Sequence, residues 1–214
     1  MAQRPVFLPK QNAPFSNVVN VEFQWNGGFA VSQKQKNIKA LHEGFLRLFP
    51  ERNVLEISSK SLCEPGKELS AFNLKKFVPS IEKSISLECV FQGGKVFQNG
   101  GPYVDLYEKS SREAKKDNRL RESGALKNFW FEGKEYPILP RTAFYDWLYV
   151  NALMENKDLA EKLLQYDAFT DVEFNPEKSI NCQARSAAVF VSLSKLGIVE
   201  NCKDFGCFVS LFKQ

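Results

Sequence analysis

One histidine, His42, is all this sequence carries, and that scarcity excludes a great deal. Multi-histidine metal sites need several imidazoles, and a Ser-His-Asp relay needs one histidine placed in the right company. Proton transfer in this chain therefore falls to Glu, Asp, Lys or Tyr. Cysteine is sparse as well: Cys63, Cys89, Cys182, Cys202 and Cys207 are odd in number and irregular in spacing. No CxxC pair occurs, and the KDFG run between Cys202 and Cys207 fits neither a zinc knuckle nor a redox pair. Reduced thiols and no metal are expected. Apolar runs long enough to cross a membrane are missing, and Met1 to Lys10 holds no apolar signal core, which predicts a cytoplasmic chain. There is no P-loop, no Rossmann fingerprint and no G-x-S-x-G elbow. Internal repeats and low-complexity tracts are absent too.

What is present suits one compact unit. The chain has 214 residues, 43% of them hydrophobic, with 19 Phe available to fill a core. A net charge of +4 permits contact with phosphates without marking a dedicated nucleic-acid binder. The pattern predicts an α+β fold, helix-rich in its second half. Residues 1–80 form a strand-bearing portion packed on a core spanning 81–214. Arg4 to Asn17 is expected as an extended arm. Strands are expected at Val18–Trp25, Phe29–Val31 and Asn53–Ile57, and a helix at Gln33–Leu48 behind Ser32 as N-cap. Further helices are expected at Glu68–Phe77, Glu88–Phe97, Ser110–Ser123, Thr142–Met154, Leu159–Tyr166 and Ser179–Leu196. Phe129–Phe131 and Glu135–Ile138 flank Gly133 as a hairpin, and Phe205–Phe212 reads as an edge strand.

Three clusters could carry chemistry. The first is Leu87 to Tyr107, LECVFQGGKVFQNGGPYVDLY. On one helix Glu88, Gln92 and Lys95 would project from one face. A solvated surface stripe fits that spacing, and so does a lysine held beside a carboxylate as a nucleophilic amine. The glycines of this run point to close approach by a ligand or by another backbone. The second cluster, Thr142 to Tyr149, offers Tyr145 and Asp146 as site groups or as a surface pair. The third, Tyr166 to Ser186, gathers Asp171 and Glu173 ahead of a helix whose start carries Gln183 and Arg185. Arg185 and the free N–H groups of that helix could receive a pyrophosphate, or could be ordinary capping and a surface arginine. The basic run Ser110 to Arg121 is a solvated helix or, through Arg112, Lys115 and Lys116, a contact for a nucleic-acid backbone.

The run Glu88-Cys89-Val90-Phe91-Gln92-Gly93-Gly94-Lys95-Val96-Phe97 resembles the NADAR core motif, E-h-y-F-Q-a-x-K-f. Further stretches resemble the NADAR branch associated with DarT toxins over nearly the whole chain. They are PVFLP, FAVSQKQKNI, LEISSKS, LSAFNL, FQGGKVFQNGGPYVDLYEKSSREAKKD, TAFYDWLY and YDAFTDVEFNP with KSINCQARSAA. The resemblance implies an antitoxin that hydrolyses an N-glycosidic bond, with ADP-ribose on the exocyclic amine of guanine in DNA as substrate and ADP-ribose as product. It places Glu88 and Lys95 at the catalytic positions, with Asp171 at a later acidic one. No cofactor is expected, and the cognate DarT-type toxin is a candidate partner. Around this centre Phe91 or Tyr103 is expected to stack on a base. Asn99, Gly100 and Gly101 are expected to approach the sugar or phosphate through backbone N–H groups and Arg185 to contact a phosphate, with Gln92, Gly94 and Asp146 as further substrate-binding residues. A modified base must be flipped out or single-stranded to enter such a site. Two other readings are a hydrolase of phosphoribosylamino intermediates in riboflavin synthesis and a non-catalytic antitoxin that binds its toxin.

Overall fold

In the computed structural model, which describes residues 1–213, the first strand sets the architecture. β1 (Ala2–Pro9) holds Val6, Phe7 and Leu8 in a continuous buried run, the pattern of a strand covered on both faces. The Pro- and Asn-rich start is therefore no extended arm. β1 pairs antiparallel with β2 (Ser16–Phe23) and with β9 (Ala168–Thr170), and β9 pairs in parallel with β3 (Val54–Glu56). The sheet order β2-β1-β9-β3 thus joins the N-terminal portion to a strand from the far end of the chain.

Each face of this sheet buries its own set of side chains. Val6, Leu8, Val21 and Phe23 meet Leu41 and Phe45 of α1 (Val31–Leu48). Phe7, Leu55 and Phe169 belong instead to the main core, shared with α6 (Ala143–Glu155) and α8 (Gln183–Lys195). α6 is apolar all round and buried along most of its length, as a central helix must be. α7 (Lys157–Leu163) follows it after Asn156.

Several expected elements are corrected by pairings no local pattern announces. Phe29–Val31 is not a strand: α1 begins at Val31 with Ala30 as its N-cap, and Phe29 is exposed. The helix expected at Glu68–Phe77 is instead a short turn, α2 (Glu64–Glu68), followed by β4 (Lys75–Val78), which pairs with β5 (Lys83–Ser86). The helix expected over Glu88–Phe97 stops early: α3 (Leu87–Gly93) gives way to β6 (Lys95–Phe97). β6 joins β7 (Leu126–Phe131) and β8 (Lys134–Pro137) in a sheet that includes the expected hairpin. Ser110–Ser123 divides into α4 (Ser111–Lys116) and α5 (Arg119–Glu122). The last segment is helical, α9 (Phe205–Ser210), capped by Asp204 accepting from the Cys207 N–H at 2.8 Å. All five cysteines are free. No helix among the described residues is long and apolar enough to cross a membrane.

Candidate active site

Helix α3 is buried along its whole length and stands on Ser86, whose hydroxyl accepts the Cys89 N–H. Its second residue, Glu88, is 5% exposed. Gln92 lies one turn on and donates from Nε2 to Glu88 Oε1 at 2.9 Å, which leaves the buried Gln92 Oε1 without a partner. Two glycines then end the helix. A Cβ on Gly93 would sit 2.6 Å from the Tyr107 ring, and one on Gly94 would sit 2.5 Å from the Trp130 carbonyl oxygen. Both glycines thus serve packing by the protein's own chain. The Gly94 carbonyl accepts from Trp130 N–H at 2.6 Å, which draws β7 against the turn and starts β6 at Lys95.

Lys95 consequently comes from a strand, yet it still faces Glu88. Its Nζ lies 4.7 Å from the centroid of the Phe91 ring, which is packed edge-on by Tyr145 at 5.0 Å. Burial pulls the Lys95 pKa down from 10.5 to about 8, against the opposing effect of Glu88 and with a smaller push from Lys115. Lys115 Nζ is 3.9 Å from Glu88 Oε1.

A second acidic group lines the same cavity. Asp171 follows β9, and burial together with the negative charge of Glu56 pushes its pKa up to about 7. Gln183 Nε2 donates to Asp171 Oδ2 at 3.0 Å and to the Ile57 carbonyl at 2.7 Å, while its Oε1 accepts from Ala71 N–H at 2.8 Å. One amide thereby ties Asp171 to both halves of the chain. Glu56, 2% exposed, accepts from the Thr170 hydroxyl at 2.6 Å and from Val172 N–H at 3.0 Å, holding the residues on either side of Asp171. Because Thr170 donates to Glu56, its oxygen accepts from His42 Nε2 at 2.9 Å. Burial takes His42 down to about 4, so the single histidine stands neutral as a structural hydrogen-bond donor.

Glu88, Phe91, Gln92, Lys95, Tyr145, Asp171 and Gln183 line one cavity of about 640 Å³. Lys34, Lys60, Arg112, Lys115 and Lys178 line it too, against Glu173 as the other acid. Glu173 is 3.3 Å from Lys34. Among the described residues, Lys60, Arg112 and Lys178 have no carboxylate within salt-bridge reach. The site therefore combines a lysine of lowered basicity with the carboxylates of Glu88, Asp171 and Glu173, in a lining whose cations suit a polyanion. Among the described residues, no group of three or more His, Cys, Asp or Glu is placed to hold a metal.

The remaining expected contacts lie outside this lining. Tyr103 bonds Ser123 through its hydroxyl, and its ring is covered by the Arg119 guanidinium at 4.4 Å. Asn99, Gly100 and Gly101 form a turn folded onto the chain itself. A Cβ on Gly101 would sit 2.3 Å from the Lys95 carbonyl oxygen, and its φ of +88° suits glycine. Asp146 and Arg185 pair with each other, with Arg185 also donating to Thr142 Oγ1 at 3.0 Å and Ser186 to Asp146 Oδ1 at 2.6 Å. They border a separate cavity of about 80 Å³. Neighbours on α6, Tyr145 and Asp146 point to different sides, as successive helical residues do.

Composition and spacing alone did not single out Lys34, Ser58, Ser59, Lys60, Phe72 or Lys178 for this lining. Their one signal is position: each falls within a stretch carrying the family likeness. A family model described as NADAR-DarT1, the DarT1-associated NADAR antitoxin, matches residues 2–214. No curated protein matches the chain.

Proposed function

The chain belongs to the family of DarT1-associated NADAR antitoxins, and from that premise we propose that it is a hydrolase removing ADP-ribose from the exocyclic amine of guanine in DNA. One observation carries the reading: Lys95, its pKa lowered to about 8, shares a cation-lined cavity with Glu88 and Asp171. The cavity is within the volume range of small-ligand pockets. Its surplus of lysines suits the pyrophosphate of ADP-ribose. Gln92 Oε1 and Asn181 Oδ1, both buried without partners, can accept from ribose hydroxyls or from the exocyclic N–H. Phe91 acts as the floor beneath Lys95.

The chemistry consumes one water. Protonated Asp171 gives its proton to the ribose ring oxygen as the bond from that oxygen to the anomeric carbon breaks. The guanine amine supplies its lone pair, forming an iminium. Neutral Lys95 adds to the anomeric carbon through Nζ. Glu88 takes the proton from the new ammonium and passes it to the guanine nitrogen, whose bond to carbon then breaks. Lys95 is left as a protonated Schiff base with the opened sugar. Water adds to this carbon while Glu88 accepts its proton, then returns it to Nζ as Lys95 departs. The last proton returns from the carbonyl oxygen to Asp171, and the freed ADP-ribose recloses.

The test is release of the adduct from an oligonucleotide bearing ADP-ribosylated guanine, comparing wild type with Lys95→Ala and adding borohydride during turnover. Wild type restores guanine, the variant does not, and borohydride traps an adduct on Lys95. Turnover without a trapped adduct refutes the Schiff base. Turnover of phosphoribosylamino compounds alone overturns the substrate assignment. Protection of cells by a folded Lys95→Ala protein shows neutralisation by binding instead.

A further inference from the structure

Phe29 is 99% exposed, while the next most exposed Phe, Phe77, is 43% exposed. A ring wholly in water contributes nothing to the core. Its position is nonetheless built. The backbone of Asn26 is held by Asn37, which is fully buried, with Asn37 Oδ1 accepting from Asn26 N–H at 2.6 Å and Nδ2 donating to its carbonyl at 2.9 Å. Beyond that clamp the chain turns through Gly28 at a φ of +114°, a conformation that favours glycine. The turn sets Phe29 on the border of the cavity, which Lys34 also lines. Lys34 Nζ in turn lies 5.5 Å from the Trp25 ring, and the Arg4 guanidinium lies 5.1 Å from the same ring. Arg4, Trp25 and Lys34 thus alternate cation, ring and cation, and Lys34 and Phe29 both border the cavity.

That composition is the one that grips a single strand of nucleic acid, whose phosphates meet the cations and whose bases stack on the rings. One fully exposed ring at the border of a lysine-lined cavity is too small an apolar surface for a protein or lipid partner. We infer that Phe29 stacks on the nucleobase next to the modified guanine, holding the strand at the mouth while the ADP-ribosylated base enters the cavity. This inference rests on the nucleic-acid substrate proposed above.

The experiment measures kcat/KM for an ADP-ribosylated single-stranded oligonucleotide and for ADP-ribosylated guanosine, using wild type, Phe29→Ala and Phe29→Trp. The strand-to-nucleoside ratio falls about tenfold in Phe29→Ala and is kept by Phe29→Trp. An unchanged ratio overturns the inference, and so does an equal loss on both substrates, which would put the ring on the ADP-ribose. Binding of a fluorescein-labelled, unmodified oligonucleotide needs no turnover. If wild type hydrolyses neither substrate, the hydrolase reading fails, while weaker oligonucleotide binding by Phe29→Ala still supports the strand contact. Loss of purified toxin binding with oligonucleotide binding intact assigns the ring to a protein partner and overturns it.

Discussion

In the proposed mechanism turnover traces a bell against pH, shaped by Lys95 and Asp171. Lys95 has to be neutral to attack, and it is held at about 8. Asp171 has to be protonated to open the sugar, and it is held at about 7. At about pH 7.5 each group is in its required form in roughly a quarter of molecules, so about 6% are competent. At about pH 6 only about 1% of Lys95 is neutral, and at about pH 9 only about 1% of Asp171 is protonated. The competent fraction is then about 1% at either end, and kcat/KM falls about sixfold on each side of its maximum. Glu56→Gln removes the charge that helps hold Asp171 up. The acid limb then moves to lower pH and the maximum drops several-fold. The assay is the initial rate of ADP-ribose release from a labelled oligonucleotide across this range. A rate that stays flat between these limits, or rises without turning over, refutes the reasoning.

The charge state of Lys95 also predicts stability. At about 1.4 kcal/mol per pKa unit, the fall from 10.5 to about 8 costs the folded state on the order of 3 kcal/mol. The folded pKa lies below the unfolded one, so the cost is full below about pH 8 and disappears as pH rises toward about 10.5. Lys95→Met is therefore inactive but melts several degrees higher than wild type at neutral pH, by calorimetry. Gly94→Ala pushes a Cβ to 2.5 Å from the Trp130 carbonyl oxygen, which lowers stability by roughly 1–3 kcal/mol and activity with it. Asp146→Ala leaves the partly buried Arg185 without its carboxylate and costs about 3 kcal/mol in denaturant titration. Turnover per folded molecule stays at the wild-type level, because this pair lies outside the cavity.

Much of the helical framework was legible because its signals are local. The apolar positions of α1, the predominantly apolar sequence of α6 and the turn at Gly133 all act within a few residues. The misread segments were decided by partners far along the chain. Pro5–Leu8 is apolar on successive residues because α1 and α8 cover its two faces. Lys75–Val78 is a strand because Lys83–Ser86 lies beside it. One continuous helix would put Glu88 and Lys95 on one face. The structure puts them beside one cavity by ending the helix at Gly93 and turning through Gly94.

By itself, the sequence determined the α+β class, the family, and the supply of polar groups: one histidine, no metal pattern, and a Glu-Gln-Lys run proposed to carry the chemistry. Tertiary structure alone decided which charges share a dielectric environment. It brought Glu56 beside Asp171 across 115 residues of chain, buried Lys95 enough to lower its basicity, and turned Lys34, Lys60 and Lys178 toward one cavity while Asp146 consumed Arg185. Spacing along a chain reports only neighbours within a turn or a pleat, whereas burial and pKa depend on everything packed around a group from every direction.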